Sequence, residues 1–181
     1  RMLDAARAME VEPALEKTGL RGAAFFYDCL GNDSQITVAT ARAAHQAGAA
    51  CANYVEACGL LRSGGKVRGI VARDVLSGRE IEVKARVVVN AAGPWADHIL
   101  ALESPGYTEG LRLTKGVHLV VRRERIGNRN AMVLSSPRDG RFVFLIPWWG
   151  FTLIGTTDTD FHGDPDQVWA DPEDVEYPVS Y

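Results

Sequence analysis

Residues 86–98, RVVVNAAGPWADH, constrain the fold of this chain more than any other stretch. Three consecutive valines run into residues with almost no side chain, then into a proline suited to the first position of a helix. A continuous β-branched run marks a strand covered on both faces, because a strand with one wet face alternates. The small residues at its end let a large ligand approach the backbone, and the helix N-terminus beyond suits the anionic or polar parts of a nucleotide cofactor. A tight strand-to-helix turn with a packing glycine has the same pattern, and pattern alone leaves both readings open.

The flanking segments lead into and away from this stretch. Residues 1–17 read as a short helix broken at 11–13, with a turn near Gly19. Residues 22–29 read as a strand, and Asn32, with Gln35 at the capping-box position, starts a helix that runs to about Ala47 and stops at Gly48. Its stripe of Ile36, Ala39, Ala43 and Ala47 is small enough for close packing on a sheet. Strands at 51–61, 66–75 and 79–85, joined by Gly64-Gly65 and Ser77-Gly78, form an antiparallel meander. Ile81, Val83, Ala85 and Val87 alternate with Glu80, Glu82, Lys84 and Arg86, so one long strand is expected to leave a meander with one wet face and enter a sheet covered on both sides at Val87. A short helix follows at 95–102, and Ser104-Pro105-Gly106 marks a lobe boundary. Beyond Leu111 four strands (111–121, 131–136, 142–148 and 152–158) predict a mixed or antiparallel sheet with turns at 137–140 and at Gly150. Asp171-Pro172-Glu173-Asp174 is a helix-start signal.

Composition removes several function classes. In 181 residues, 46% hydrophobic content supports a packed core and argues against disorder. A net charge of −3 and a pI near 5.8, with Lys and Arg scattered except at Arg122, Arg123 and Arg125, argue against nucleic-acid binding. Cys29, Cys51 and Cys58 are odd in number and lack metal-ligand spacing, which favours reduced packing cysteines. No apolar run approaches the ~20 residues that span a bilayer. The chain opens at Arg1 in mid-pattern and stops as its last helix begins, so it is expected to be an excised piece of a longer protein.

Two further stretches carry candidate chemistry. On strand alternation Leu111, Leu113, Lys115, Val117, Leu119 and Val121 share one face, and Arg112, Thr114, Gly116, His118, Val120 and Arg122 the other. A histidine beside a glycine that admits a planar ligand is a candidate general base; a satisfied structural histidine has the same pattern. His45, His98 and His162 are read as structural. At the end of an apolar strand, residues 152–160 (TLIGTTDTD) place Thr156 and Asp158 on one side and Gly155, Thr157 and Thr159 on the other. Asp158, Asp160, Asp164 and Asp166 have neither EF-hand spacing nor a His/Cys cluster, so they read as solvated acids and caps, with no metal site. Trp148-Trp149 reads as core and rim packing.

In this order the segments resemble the FAD-dependent glycerol-3-phosphate dehydrogenase family, within the flavoprotein group that includes the D-amino-acid oxidases. The resemblance lies in YDC with DSQITVATARAAHQAGA (27–49), VVVNAAGPWAD (87–97), LTKGVHLVV (113–121), GRFVFLIPW (140–148) and IGTTDTDFHGDP (154–165). It implies an α/β (α+β) fold: a partial Rossmann-like FAD-binding lobe with its β-meander over 1–104, within which substrate-lobe insertions are allowed for, and a truncated, mixed or antiparallel substrate-lobe sheet over 105–181. It further implies FAD as cofactor, glycerol 3-phosphate as substrate, quinone as electron acceptor, and a cytoplasmic protein with possible peripheral attachment to the membrane. His118 matches the family histidine beside flavin and substrate, Thr156 lines the same pocket, and Lys115 is a further substrate-binding candidate if Gly116 introduces a bulge. Val55, Ala91, Ala92 and Gly93 match FAD-contacting positions. The family's G-x-G-x-x-G is not in this sequence, so the chain alone is expected to bind FAD poorly and to be inactive. The rival readings are a related FAD-dependent amine or amino-acid oxidase and a noncatalytic nucleotide-binding or interaction module.

Overall fold

The computed structural model describes residues 1–104, 106–108, 110–135 and 140–179. Its contacts separate two compact units, one formed by Arg1–Asp28 with Arg112–Tyr181 and the other by Cys29–Leu111.

The first unit opens with β1 (Met2–Asp4), α1 (Ala5–Val11) and β2 (Gly22–Ala24), where β1 and β2 pair antiparallel. Residues 2–4, expected as helix, instead serve through their backbone as the partner of β2. Asp4 caps α1 by accepting from Arg7 N at 2.8 Å, and the helix ends at Glu12, just ahead of Pro13. The strand expected at 22–29 pairs only over its first residues because β1 is three residues long, which leaves Phe26 and Tyr27 exposed.

The second unit starts with α2 (Asp33–Gln46), capped as predicted by Asn32 Oδ1, which accepts from Gln35 N at 3.1 Å. None of its residues is buried, so the Ile36 stripe meets no covering sheet among the described residues. The meander follows as β3 (Val55–Ser63), β4 (Lys66–Asp74) and β5 (Glu80–Lys84), in that order across the sheet and antiparallel throughout. Gly64 and Gly65 both have positive φ, +58° and +74°, the type I′ hairpin geometry that glycine admits without a Cβ clash. A short 3-10 turn (Gly93–Trp95) containing Pro94 leads into α3 (Ala96–Glu103).

The long strand serving two layers does not form. β5 ends at Lys84, and Val87 and Val89 are 76% and 80% exposed. Its partner β4 turns back at Gly65 just beyond Arg68, whose carbonyl takes the last bond of the ladder from Ala85 N at 2.9 Å. Residues 87–90 thus pair with no strand among the described residues, and the alternation over 80–86 has no covered side, since all of β5 is exposed.

The chain then returns to the first unit with β6 (Leu113–Lys115), β7 (His118–Arg122), β8 (Met132–Ser135), β9 (Phe142–Trp148), β10 (Phe151–Gly155), β11 (Thr159–Phe161) and α4 (Pro172–Val179). Four strands form a sheet in the order β7-β10-β9-β8, and β11 pairs with β6; every one of these ladders is antiparallel. The helix start at Asp171 is found as expected, whereas the turn predicted at 137–140 and Pro105 of the predicted breaker fall wholly or partly outside the described residues. One face of the four-stranded sheet is covered. Cross-strand rows put Leu119, Ile154, Leu145 and Met132 there, with Val121, Thr152 and Pro147 in the next row. In this layer Thr152 is fully buried, and its hydroxyl donates to Asn128 Oδ1 at 2.7 Å; Asn128 Nδ2 donates to the carbonyls of Asn130 and Leu145.

The units divide at 28/29 and 111/112. Two carboxylates hold the segments beside these divisions. Asp97 accepts from Tyr107 Oη and from the backbone N–H groups of Gly110 and Leu111 at 2.9–3.0 Å, which keeps the stretch after α3 with the second unit. Glu12, 4% exposed, accepts from Arg129 N and Asn130 N at 2.8 and 2.7 Å, which fixes the N-terminal segment to the first.

Candidate functional site

Two glycines build the centre of the site. The strand expected at 111–121 is interrupted at 116–117, and the one expected at 152–158 at 156–158; the two interruptions face each other between the β6·β11 and β7·β10 ladders. Val117 N donates to Thr157 Oγ1 at 2.9 Å and Thr157 N to Val117 O at 3.2 Å, closing the jog. Gly155 lies directly across from His118. A Cβ on Gly155 would come within 3.0 Å of His118 Cδ2 and 2.8 Å of Val117 O, and one on Gly116 within 2.6 Å of Thr156 Oγ1. Each glycine therefore makes room for the candidate side chain of the opposite strand: the imidazole over Gly155, the threonine hydroxyl over Gly116. The hydroxyl also donates to Thr157 O at 2.8 Å.

His118 is exposed, as alternation predicts. Thr156 is also exposed and Thr157 buried, although Ile154 and Thr152, two and four positions before Thr156, are buried; the break in the strand at 156–158 interrupts the alternation of β10. The imidazole heads a cross-strand row that continues through Gly155 to Phe144 and Val133, beside a second row of Val120, Leu153 and Ile146. Val120, Phe144 and Val133 are themselves exposed. The uncovered sheet face thus presents a flat apolar surface ending in one imidazole and one hydroxyl.

Lys115 lies apart from this pair. Residues 112–122 alternate between exposed and more sheltered positions without a break, so Lys115 falls on the face away from His118 and the bulge that would bring the two together is not made. Its side chain is 10% exposed, with Nζ 2.6 Å from Oδ2 of both Asp171 and Asp174 and 3.4 Å from Trp169 O. Three acceptors occupy the three donors of the ammonium. Hydrogen bonds to Asp171 first and Asp174 second hold Lys115 above the usual lysine range. Burial pushes the Asp174 carboxyl up, but the Lys115 bond and the Asp171 backbone outweigh it and leave it below the usual carboxylate range. These residues line a cleft of about 430 Å³ with Arg141, Asp158 and Asp160, and neither His118 nor Thr156 reaches it. The partners of Lys115 were not foreseen from sequence; Asp171 and Asp174 gave only a helix-start signal.

The cofactor candidates fall in the second unit. Ala91, Ala92 and Gly93 follow Asn90, whose Oδ1 accepts from Ala92 N at 3.2 Å while its Nδ2 donates to Ala96 O at 2.9 Å. This asparagine clamps the turn through both ends of its amide, a role not foreseen from sequence. Gly93 has φ +55°, and a Cβ there would meet nothing within 4 Å, so the space over the turn is open. Val55 begins β3 opposite Asp74, after Tyr54 with φ +55°. An open, rigid turn of small residues suits a nucleotide cofactor approaching the backbone. The acids at 158–166 include no group of three His, Cys, Asp or Glu side chains arranged to hold a metal ion among the described residues.

The chain is 39% identical over 180 residues to the alpha-glycerophosphate oxidase of Streptococcus pneumoniae and 34% identical over 178 to the aerobic glycerol-3-phosphate dehydrogenase of Staphylococcus haemolyticus, in each case over 98% of its length. It spans 30% and 32% of those two relatives. The crystal structure of glycerol-3-phosphate dehydrogenase from Bacillus halodurans complexed with FAD superimposes with a TM-score of 0.93 at 36% identity, covering 99% of this chain and 36% of that one. Glycine oxidase from Bacillus cereus, at 22% identity and a TM-score of 0.69, shares the fold. Residues 1–180 match the family described as FAD dependent oxidoreductase, and the chain belongs to that family.

Proposed function

We propose that the protein carrying this chain oxidises sn-glycerol 3-phosphate to dihydroxyacetone phosphate with FAD as cofactor. The placement of His118 over Gly155, beside the Thr156 hydroxyl and at the end of an open apolar sheet face, is the observation that carries this reading. An oxidised alcohol gives up a proton from oxygen and a hydride from carbon. His118 takes the proton of the C2 hydroxyl, which requires the ring nitrogen within about 3 Å of that oxygen. Thr156 supplies a hydroxyl to orient the substrate, and the apolar face beside the imidazole excludes water from a flat ring system. Bound FAD supplies the hydride acceptor. Val55 and the Ala91, Ala92 and Gly93 turn are the residues assigned to the nucleotide. Lys115, placed among the substrate ligands on resemblance, is assigned to the scaffold because its donors are occupied.

Electrons then pass to a quinone, with the protein attached peripherally to the inner face of the cytoplasmic membrane. No helix of the described residues is long and apolar enough to cross a bilayer. The 181-residue chain by itself holds FAD weakly, since its sequence contains no G-x-G-x-x-G to receive the pyrophosphate.

The test is glycerol-3-phosphate-dependent dye reduction by the full-length protein that carries this chain, with flavin absorbance read in parallel. His118→Asn lowers turnover by about 10²–10⁴ with FAD retained. Unchanged turnover would remove the base assignment, and turnover with an amino acid in place of glycerol 3-phosphate would remove the substrate. A yellow, active 181-residue chain would contradict the weak-binding reading.

A further inference from the structure

The sequence scatters its cations, and the meander gathers them. Between Arg62 and Arg86 there are seven Lys or Arg residues and three Asp or Glu, a net +4 within a chain of −3. At one end of this segment Arg73 pairs with Glu80 at 3.6 Å. At the other, the strands bring Arg62, Arg68, Lys84 and Arg86 around a groove of about 590 Å³ whose lining includes one carboxylate, Glu82. None of these four cations forms an ion pair among the described residues.

The groove is built rather than incidental. Leu61 pairs with Gly69 and Arg62 with Val67, so Arg68 is an extra residue on β4, a bulge of the kind that redirects a side chain. Gly69, between Leu61 and Lys84 in the cross-strand row, has φ +149°, and a Cβ there would lie 2.1 Å from Val83 O. The row therefore keeps bare backbone between two side chains. Arg62 is anchored by a hydrogen bond from Nη2 to the carbonyl of Glu103 at the end of α3, which reduces the freedom it would lose on binding an anion. Three guanidinium groups offer planar donor pairs that match phosphate oxygens, and one ammonium adds a point charge.

We propose that this groove is a phosphate-binding site, taking the phosphate oxygens of a soluble phosphate ester or of an anionic lipid headgroup. Phosphate binding here requires nothing of the oxidoreductase chemistry, and its failure would leave that reading untouched.

The experiment uses the full-length protein carrying this chain, at physiological salt. Calorimetric titration with inorganic phosphate and pyrophosphate reads the soluble source; co-sedimentation with phosphatidylcholine vesicles, with and without phosphatidylglycerol, reads the lipid source. Arg68→Glu with Lys84→Glu is expected to weaken the observed binding at least about tenfold, whereas Arg42→Glu with Arg125→Glu, an equal change of net charge elsewhere, leaves it unchanged. Rising salt weakens the wild-type interaction. Phosphate binding that follows this pattern identifies a soluble ligand, and retention by phosphatidylglycerol vesicles that follows it identifies a headgroup. Absence of both interactions, or binding of equal strength in all three proteins, overturns the proposal. If the doubly reversed protein fails to fold by circular dichroism, Arg68→Gln with Lys84→Gln replaces it under the same criteria.

Discussion

Replacing Glu12 by Gln keeps the shape of the side chain and removes its charge, and the surroundings of that carboxylate set the cost. Its Oε2 accepts from Arg129 N at 2.8 Å, Asn130 N at 2.7 Å and Asn130 Nδ2 at 3.1 Å, and Oε1 accepts from Ala14 N at 3.2 Å. Hydrogen bonds to a charged group contribute about 1.5–3 kcal/mol against about 0.5–1.5 for neutral pairs, so weakening the three bonds on Oε2 costs about 3 kcal/mol. The new amide also turns an NH₂ toward Ala14 N, donor against donor. The desolvation of the charge, which the amide avoids, offsets part of this and brings the net loss to about 2 kcal/mol. Urea unfolding followed by circular dichroism then shifts its midpoint down by about 1 M. Amide exchange at Arg129 and Asn130 quickens by about thirtyfold. The control is Glu10→Gln: Glu10 pairs with Arg7 on an exposed stretch of α1, and its loss changes stability by less than about 0.5 kcal/mol. A Glu12→Gln chain as stable as the control, with unchanged exchange at both amides, would refute the reasoning.

Thr152→Val preserves the volume of a fully buried side chain but leaves Asn128 Oδ1 without its donor; thermal melting should show a loss of about 1–3 kcal/mol, with Thr152→Ser closer to wild type. Gly155→Ala puts a methyl 2.8 Å from Val117 O at φ +154°, and the same assay should record about 1–3 kcal/mol of destabilisation, together with a changed His118 ring environment by NMR. The Asp97 carboxyl is held below the usual aspartate range by the backbone N–H of Leu111 first, and by Tyr107 and Gly110 against the opposing effect of burial. Because the folded value is the lower one, the stabilisation is complete above the ordinary aspartate pKa of about 3.9 and is lost as pH falls through the depressed value. Exchange at Leu111 N–H should accelerate across that acid range in the wild type and show no such step in Asp97→Asn.

Local signals in the sequence were readable where the residues that decide a structure are neighbours. Asn32 with Gln35, Gly64-Gly65 and the Asp171 helix start each specify geometry within four positions, and each formed as expected. The site was readable in part for the same reason: alternation put His118 on an open face and turned Lys115 away, whereas the exposure of Thr156 depends on the break after Gly155. What stayed hidden depends on partners far along the chain. Nothing near Lys115 announces Asp171 and Asp174, and nothing near Gly155 states that it will lie across from His118. The valines at 87–89 mislead in the other direction. Their composition is right for a covered strand, but a strand also needs neighbours to hydrogen-bond with, and the ladder to β4 ends at Ala85 and Arg68 before they are reached.

The first unit is interrupted in sequence by the whole of the second, and this fixes an order of assembly on the ribosome. Residues Cys29–Leu111 are contiguous and can close their meander as soon as they emerge. The segment Arg1–Asp28, made ahead of that unit, must wait, because the donors that hold Glu12 lie at Arg129 and Asn130, more than a hundred residues later. A folded insert shortens the effective loop that separates them, and closure entropy grows only with the logarithm of that length. Residues 1–28 are therefore made before the second unit yet find their place after it, and Phe26 and Tyr27, exposed beside β2, stay uncovered through that interval.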